Sequence, residues 1–198
     1  MISHWLNKKN LVLEAKDLRL RLPRRADYEA WQNLRAKSRL FLKPVEPKWS
    51  DVDLTRNAYA DRVRKCQDCA KKGTEFSMFI FSLEHGKEAL VGGVTLSNIK
   101  YRAAHHANIG YWLGQEQVGN GYMARAVPLL LKFAFESLNL KRIHAACLPD
   151  NVSSIKVLSR TGFAEEGFAQ EYLQINGEWR DHLLYGLTAS RYASINIK

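Results

Sequence analysis

The chain has 198 residues, of which 46% are hydrophobic and 25% are charged, and its net charge is +10. Roughly 150 residues per domain predicts a single domain over residues 1–198, and the composition excludes a disordered or fibrous chain. No apolar run approaches the roughly 18 residues of a membrane-spanning helix, and the first ten residues lack a signal-peptide stretch. We therefore expect a cytoplasmic protein that has no membrane partner.

The first half of the chain predicts one strand, two helices and then two strands. Leu18–Leu22 alternate strictly between apolar and basic residues, which is typical of a strand, and Pro23 ends it. Asp27 is a candidate helix cap, and Asp51 or Asp53 begins the second helix. The elements are a strand over 18–22, a helix over 27–39, a proline-containing loop over 41–47, a helix that ends near 72, and strands over 75–83 and 89–98.

The second half predicts strands that alternate with helices and a final hairpin. An apolar stripe from Val127 to Leu138 predicts a helix that Gly121 opens, and Pro128 predicts a kink or bulge in its first turns. Asn176-Gly177 is a strong hairpin signal. The elements are a strand over 108–113, a helix over 121–138, a strand over 142–147, a helix from 150 or 151 to 162, and strands over 168–175 and 179–187.

This order of elements predicts an α/β or α+β fold. A single mixed β-sheet is flanked by helices on both sides, with the core of the domain over about 18–187. A chain of this size can bury enough surface to fold without disulfides.

The positive charge lies almost entirely in the first third of the chain. Residues 1–72 hold 18 basic and 9 acidic side chains, whereas residues 73–198 hold 12 and 11. Such asymmetry indicates a polyanionic partner, nucleic acid most often. The other interpretation is that these basic side chains only keep exposed helix faces solvated and the protein soluble.

The three cysteines, Cys66, Cys69 and Cys147, form no disulfide framework and fit a reduced cytoplasm. Cys66 and Cys69 have C-x-x-C spacing, but neither a second pair nor a nearby His completes a tetrahedral zinc site. The sequence therefore predicts no metal.

A glycine-containing turn over 114–122 connects a predicted strand to the apolar-stripe helix. A helix N-terminus that follows such a turn offers backbone N–H groups and a positive dipole end, which suit a phosphate or pyrophosphate. Gly119 and Gly121 lack the third glycine of a dinucleotide fingerprint and the spacing of a P-loop, so both of those interpretations are excluded.

Further motifs follow this turn, and together they resemble a known family. The elements and motifs follow in the order strand, Gly-x-Gly, helix, strand, Pro-x-Asn-x-x-Ser, helix, Gly-Phe. This order resembles the acetyl-CoA site of the GNAT N-acetyltransferase superfamily, and the resemblance covers about residues 18–187. Other segments look like its RimJ type, the bacterial ribosomal-protein-alanine N-acetyltransferases. These segments are Phe41–Pro47, Ser97–Asn98, Gly110–Gln115, Gly167–Ala169 and Asn176–His182.

The resemblance implies direct transfer of acetyl from acetyl-CoA to the α-amine of an N-terminal Ala on a small-subunit ribosomal protein. A small-molecule amine acetyltransferase is the alternative within the same class. A ribosome-associated RNA-binding or assembly factor is the alternative from another class. Contact with ribosomal RNA through basic residues in 1–72 would also be compatible with either enzyme.

The resemblance also implies how acetyl-CoA binds. Backbone amides around the glycine turn would hold the pyrophosphate, the pantetheine would pair with Leu113 like an added strand, and a neighbouring N–H would face the thioester oxygen. Val118 and Met123 depart from the family pattern, which has Arg or Gln and a small residue there. The implied contacts are Trp112, Leu113, Gln117, Val118, Gly119, Asn120, Gly121, Tyr122, Met123 and Asn151.

Ser154 is the candidate general acid. Many superfamily members protonate the leaving thiolate with a Tyr late in this helix, but Leu158 occupies that position here. RimL relatives use a Ser three residues after the Asn, and Ser154 matches it. The other interpretation is that Ser154 is an ordinary first-turn residue and that Asn151 is only a cap.

A general base is expected because an α-amine is partly protonated near neutral pH. RimL-type enzymes have a Glu on the strand after Gly-Phe, where this chain has Leu173. Glu171 lies two residues earlier on the same face, Glu46 in the proline-containing loop is the other candidate, and a water relay is the third interpretation.

Asn98 and Asp181 are candidate contacts of the acceptor peptide. The alternative for Asn98 is that it ends its strand, and the alternative for Asp181 is a hydrogen bond within the hairpin.

Overall fold

The computed structural model describes residues 11–15, 17–83 and 88–196. Eight strands in this part of the chain join one mixed sheet, and helices pack on both faces, which confirms the predicted fold class. The first ten residues, for which no signal peptide is predicted, and the turn predicted over 84–87 lie outside the described residues.

The strands lie in the order β1-β2-β3-β4-β5-β6-β8-β7, and β5–β6 is the parallel pair. The strands are β1 (Val12–Ala15), β2 (Leu18–Arg21), β3 (Phe76–Ser82), β4 (Ala89–Lys100), β5 (His106–Leu113), β6 (Arg142–Cys147), β7 (Ala164–Ile175) and β8 (Glu178–Thr188). The helices are α1 (Tyr28–Lys37), α2 (Arg39–Leu42), α3 (Arg56–Lys72), α4 (Tyr122–Lys132), α5 (Val152–Arg160) and α6 (Ala189–Asn196).

Alternate residues of β3 pack into two apolar clusters, one on each face of the sheet. Met78 and Ile80 belong to the larger cluster, which includes the apolar stripe of α4. Phe79 and Phe81 belong to the smaller cluster, which includes side chains of α1 and α3. The near-continuous burial of this strand follows from its coverage on both faces.

The loop predicted over 41–47 is partly helical. α2 ends at Leu42, and a 3₁₀ turn follows over Lys43–Val45. Pro44 is compatible with this turn because the first residues of a helical turn need no amide hydrogen bond. The helix predicted over 27–39 ends at Lys37, where Ser38 separates it from α2.

The predicted start of α3 at Asp51 or Asp53 is wrong. The cap is Thr55, whose side chain accepts a hydrogen bond from the amide of Ala58 at 3.3 Å. The carboxylate of Asp53 instead accepts hydrogen bonds from the amide and hydroxyl of Ser50, both at 2.7 Å.

The prediction of a kink or bulge at Pro128 in the first turns of the helix is wrong. α4 stays α-helical to Lys132, and a π-helical turn follows over Phe133–Ser137, where the amide of Leu138 donates to the carbonyl of Phe133 at 3.0 Å. The hairpin prediction is confirmed, since Asn176 and Gly177 join β7 to β8 with positive φ angles of 48° and 93°.

The strongest polar contact in the core joins Arg21 of β2 to Asp27. Two hydrogen bonds of 2.7 Å connect the guanidinium and the carboxylate, and both side chains are buried. The guanidinium lies 4.0 Å from the centre of the Phe81 ring. Asp27 therefore fixes the entry into α1 through Arg21 and the amide of Arg24, and its side chain forms no capping bond within α1.

We predict that Asp27→Ala lowers the free energy of unfolding by about 3–5 kcal/mol, because it leaves the buried charge of Arg21 without a partner. Asp61→Ala is the matched control, since Asp61 pairs with Arg64 on the exposed face of α3. We expect that control to cost less than about 1 kcal/mol. Urea denaturation measures both, and equal losses would contradict the assignment.

Candidate active site

The strands β5 and β6 separate after a short parallel contact. They pair over His106–Asn108 and Arg142–His144. Beyond these residues β5 continues beside β4 as far as Leu113, and β6 continues beside β8 as far as Cys147. A V-shaped opening results, and within the described sheet the edge of β5 over 109–113 that faces β6 has no strand partner. Its backbone N–H and C=O groups can therefore pair with an extended ligand.

The glycine turn lies at the end of β5 and leads into α4. Gly119 and Gly121 have φ angles of 90° and 71°, a conformation that favours glycine. The side chains of Tyr122 and Met123 are buried in the core. The side chains of Tyr122 and Met123 therefore cannot bind an anion here, whereas the backbone amides of this first helical turn can.

Contacts from α1 and α2 fix the start of this turn. The amide of Gln115 donates to the hydroxyl of buried Ser38 at 2.9 Å, and the amide of Gly114 donates to the carbonyl of Val91 at 3.0 Å. The side-chain amide of Asn120 donates to the carbonyl of Gln117 at 3.4 Å. Sequence reasoning missed Ser38, because its partner lies far away in the chain.

Ser154 lies on the first turn of α5 and faces the opening. Its amide donates to the side-chain oxygen of Asn151 at 3.1 Å, so Asn151 is the helix cap. Its hydroxyl lies 2.8 Å from the hydroxyl of Tyr111, which extends from β5. Sequence reasoning missed Tyr111, although its place two residues before Leu113 puts it on the strand that lines the opening.

Cys147, at the end of β6, lies near the hydroxyl of Ser154. Burial raises the pKa of the Cys147 thiol to about 11, and the neighbouring hydroxyl of Ser154 only partly offsets this effect. The residue is therefore a neutral thiol at physiological pH, which disfavours a route through an acetylated cysteine.

Glu46 has a structural position that sequence reasoning did not foresee. Its two carboxylate oxygens accept hydrogen bonds from Arg35 at 2.7 and 2.6 Å, and one also accepts from the indole N–H of Trp49 at 2.8 Å. The guanidinium of Arg35 lies 4.1 Å from the ring centre of Trp49 and 4.7 Å from that of Trp112. With these bonds Glu46 holds its loop in place and is poorly placed to accept a proton.

The same loop contacts the hairpin and covers a cavity. The amide of Asn176 donates to the carbonyl of Glu46 at 2.8 Å. Beside the loop lies an open cavity of about 360 Å³, between the loop, the start of α5 and β8. Its lining residues are Pro44, Val45, Leu148, Asp150, Asn151, Val152, Ser153 and Arg180.

Glu171 and Asp181 lie on the hairpin just beyond the end of β6, since Cys147 pairs with Leu183. Glu171 sits in an irregular part of β7 with a φ of 46°, and its amide donates to the carboxylate of Asp181 at 2.8 Å. Asp181 thus stabilises this bulge, while the side chain of Glu171 is exposed.

Asn98 lies apart from the other candidates. Gly92 of β4 faces Leu113 at the opening, whereas Ser97 faces Asn108, where β5 and β6 are still paired. Asn98 has a φ of 51° at a bulge beyond that pair. The strand register therefore places Asn98 toward the end of the sheet that lies away from the glycine turn.

Comparison with known proteins assigns this arrangement to a family. The model of the acetyltransferase (GNAT) domain matches residues 17–164. The chain belongs to the GNAT acetyltransferase family. It is 32% identical to the [ribosomal protein uS5]-alanine N-acetyltransferase of Escherichia coli over 164 residues, which are 82% of this chain and 84% of that protein.

Solved GNAT structures have the same fold. The ribosomal-protein-S5-alanine acetyltransferase of Vibrio fischeri superposes with a TM-score of 0.84 at 32% identity, covering 92% of this chain and 98% of the other. RimJ of Mycobacterium smegmatis, solved in complex with CoA-disulfide, superposes with a TM-score of 0.81 at 29% identity, covering 94% of each chain. The chain is thus an acetyl-CoA-dependent N-acetyltransferase.

In the described part of the chain, no group of three or more His, Cys, Asp or Glu side chains is arranged to hold a metal ion. None of the described helices has the length and apolar character to span a membrane.

We predict that Gly121→Val weakens CoA binding at least about tenfold, because a β-branched residue is strained at a φ of 71° and displaces the amides of the turn. Gly167→Ala is the control, since a Cβ at Gly167 meets no atom within 4 Å. Calorimetry with CoA measures both affinities. A Gly121→Val protein that binds CoA as tightly as the parent would contradict this site.

Proposed function

We propose that this GNAT enzyme acetylates the α-amine of the N-terminal alanine of a small-subunit ribosomal protein in the cytoplasm. The names of the uS5-alanine relatives support the acceptor. The main structural support is the opening between β5 and β6, which has a glycine turn at one end and an open cavity of about 360 Å³ beside Asn151. One substrate can thus extend along the free edge of β5 while another enters from the hairpin side.

The residues at the opening suit acyl transfer. Acetyl-CoA supplies the activated acetyl group as a thioester. Outward N–H groups of β5 near Leu113 would stabilise negative charge on the carbonyl oxygen, because fixed backbone donors need no reorganisation. The Ser154 hydroxyl would donate a proton to the departing sulfur as the amine nitrogen bonds to the carbonyl carbon. The amine would release its own proton to a base or to water.

Of the two carboxylates considered as base, we favour Glu171. Its side chain is exposed on the hairpin beside the end of β6, and the bond from its amide to Asp181 fixes its backbone. Glu46 is held by Arg35 and Trp49. Asp181 therefore positions Glu171, and a direct contact between Asp181 and the acceptor is not needed.

A panel of acceptors tests the proposed function. We expect acetyl-CoA turnover, followed by thiol release, to be fastest with peptides that begin with Ala. The same peptide with a blocked α-amine is the control and should be inactive. Preference for small amines or antibiotics over every peptide would favour the small-molecule alternative and overturn the acceptor.

We predict that Glu171→Gln lowers the rate with an Ala-starting peptide most at pH 6 and least above pH 9, because an α-amine with a pKa of about 8 is already neutral there. Glu46→Gln is the comparison variant. We expect it to lower the rate by the same factor at every pH, because the substitution loosens the loop and removes no base. A uniform loss in Glu171→Gln would make it a positioning residue, and no loss in it would favour a water relay.

We also propose that the basic first third contacts ribosomal RNA beside the acceptor. The support is the solvent face of α3, where six basic side chains are exposed and three of them form pairs with Glu29, Asp61 and Asp68. These side chains are Arg56, Arg62, Arg64, Lys65, Lys71 and Lys72. Binding of this kind weakens steeply with salt, unlike turnover of a short peptide.

A further inference from the structure

Among the residues that the structure describes, the hydroxyl of Tyr111 forms its hydrogen bonds with Ser154 across the opening. It lies 2.8 Å from the hydroxyl oxygen of Ser154 and 3.3 Å from the carbonyl oxygen of Ser154. Tyr111 thus connects β5 with the first turn of α5 at the level where β5 and β6 have separated.

Either hydroxyl can be the donor in this contact, so its direction determines where the hydrogen of the Ser154 hydroxyl points. A serine in a helix tends to donate to a carbonyl one turn earlier, which would turn its hydrogen away from the opening. A hydroxyl has one hydrogen and two acceptor sites. When Tyr111 donates to the hydroxyl oxygen of Ser154, the hydrogen of Ser154 cannot point back at Tyr111 and is available to the opening.

Tyr111 can keep this role over a wide pH range. Burial raises the pKa of its phenol well above the ordinary value, although the contact with Ser154 opposes the shift. The ionisable groups that face it are Cys147, whose thiol pKa is also raised, and Tyr185, whose hydroxyl donates to Glu165 at 3.0 Å. The phenol therefore stays protonated at the pH values where an α-amine becomes neutral.

We propose that Tyr111 is a positioning residue, whose hydroxyl donates to Ser154 and aims the Ser154 proton at the departing sulfur of acetyl-CoA. This inference rests on the proposed role of Ser154 as general acid. As the carbon–sulfur bond breaks and the carbon–nitrogen bond forms, the sulfur keeps the electron pair and takes the proton of Ser154. Ser154 regains a proton from solvent, the amine loses one to Glu171 or water, and Tyr111 keeps its own.

A double-mutant cycle tests the inference. We expect Ser154→Ala to lower kcat about 100-fold, the low end for general acid catalysis, and Tyr111→Phe to lower it about 5- to 10-fold, the value of one hydrogen bond. The KM for acetyl-CoA should stay unchanged in both. The double variant should be no slower than Ser154→Ala, because Tyr111 acts only through Ser154.

Tyr185→Phe is the matched control, since it removes the hydroxyl of a buried tyrosine on β8, which donates to Glu165 and not to Ser154. We expect its kcat to equal that of the parent. Circular dichroism and thermal melting establish that each variant is folded.

The leaving group gives a second readout that a structural role would not change. With an acetyl aryl thioester as donor, the departing thiolate is stable without a proton. The rates of Tyr111→Phe and Ser154→Ala should then approach the parent rate with the same donor.

The outcomes separate the two proposals. A normal kcat in Ser154→Ala would overturn the proposed general acid and the inference with it. A 100-fold loss in Ser154→Ala with a normal kcat in Tyr111→Phe would overturn the inference alone. Losses that multiply in the double variant, or that persist with the aryl thioester, would also overturn it.

Discussion

The short parallel contact between β5 and β6 is the constraint on which the active site depends. Each strand is held more extensively on its other side, β5 by β4 as far as Leu113 and β6 by β8 as far as Cys147. The two strands therefore follow different neighbours and separate after three residue pairs. An unpaired strand edge is costly when it is buried without a partner, and it becomes a binding surface where an extended ligand can supply the missing hydrogen bonds.

The loops on either side of this opening form one connected unit. Ser38 joins the end of α1 to the glycine turn through the amide of Gln115. Arg35, one helical turn earlier, binds Glu46 and lies against the ring of Trp112 on β5. A guanidinium that is largely shielded from water must be paired to be tolerated, so these bonds fix the loop over 41–47 relative to β5. Arg35 of α1 and Ser38 at its end thus connect the loop that holds Glu46 with β5 and the glycine turn.

Sequence patterns predicted the features that depend on local periodicity. The apolar stripe of α4, the Asn176-Gly177 turn and the glycine turn were recognisable because each is contained in a short segment. β1 has four residues without alternation and could not be recognised. Ser38 and Tyr111 were missed because their partners, Gln115 and Ser154, lie distant in the chain and meet only in the folded sheet. Asn98 was a candidate through the family resemblance, and only the strand register shows that it lies beyond the paired part of β5 and β6.

The distribution of charge matches the approach of an acceptor that is itself cationic. The hairpin from Ala164 to Thr188 holds five acidic side chains and one basic side chain, Arg180, which pairs with Asp150 at the cavity at 3.4 Å. The net positive charge lies instead in the first third, including the solvent face of α3. A protonated α-amine is attracted to the acidic hairpin, whereas a polyanion is attracted to α3. Because the opposite charges lie on different elements, the amine acceptor and the nucleic acid that we propose would approach different surfaces of the molecule.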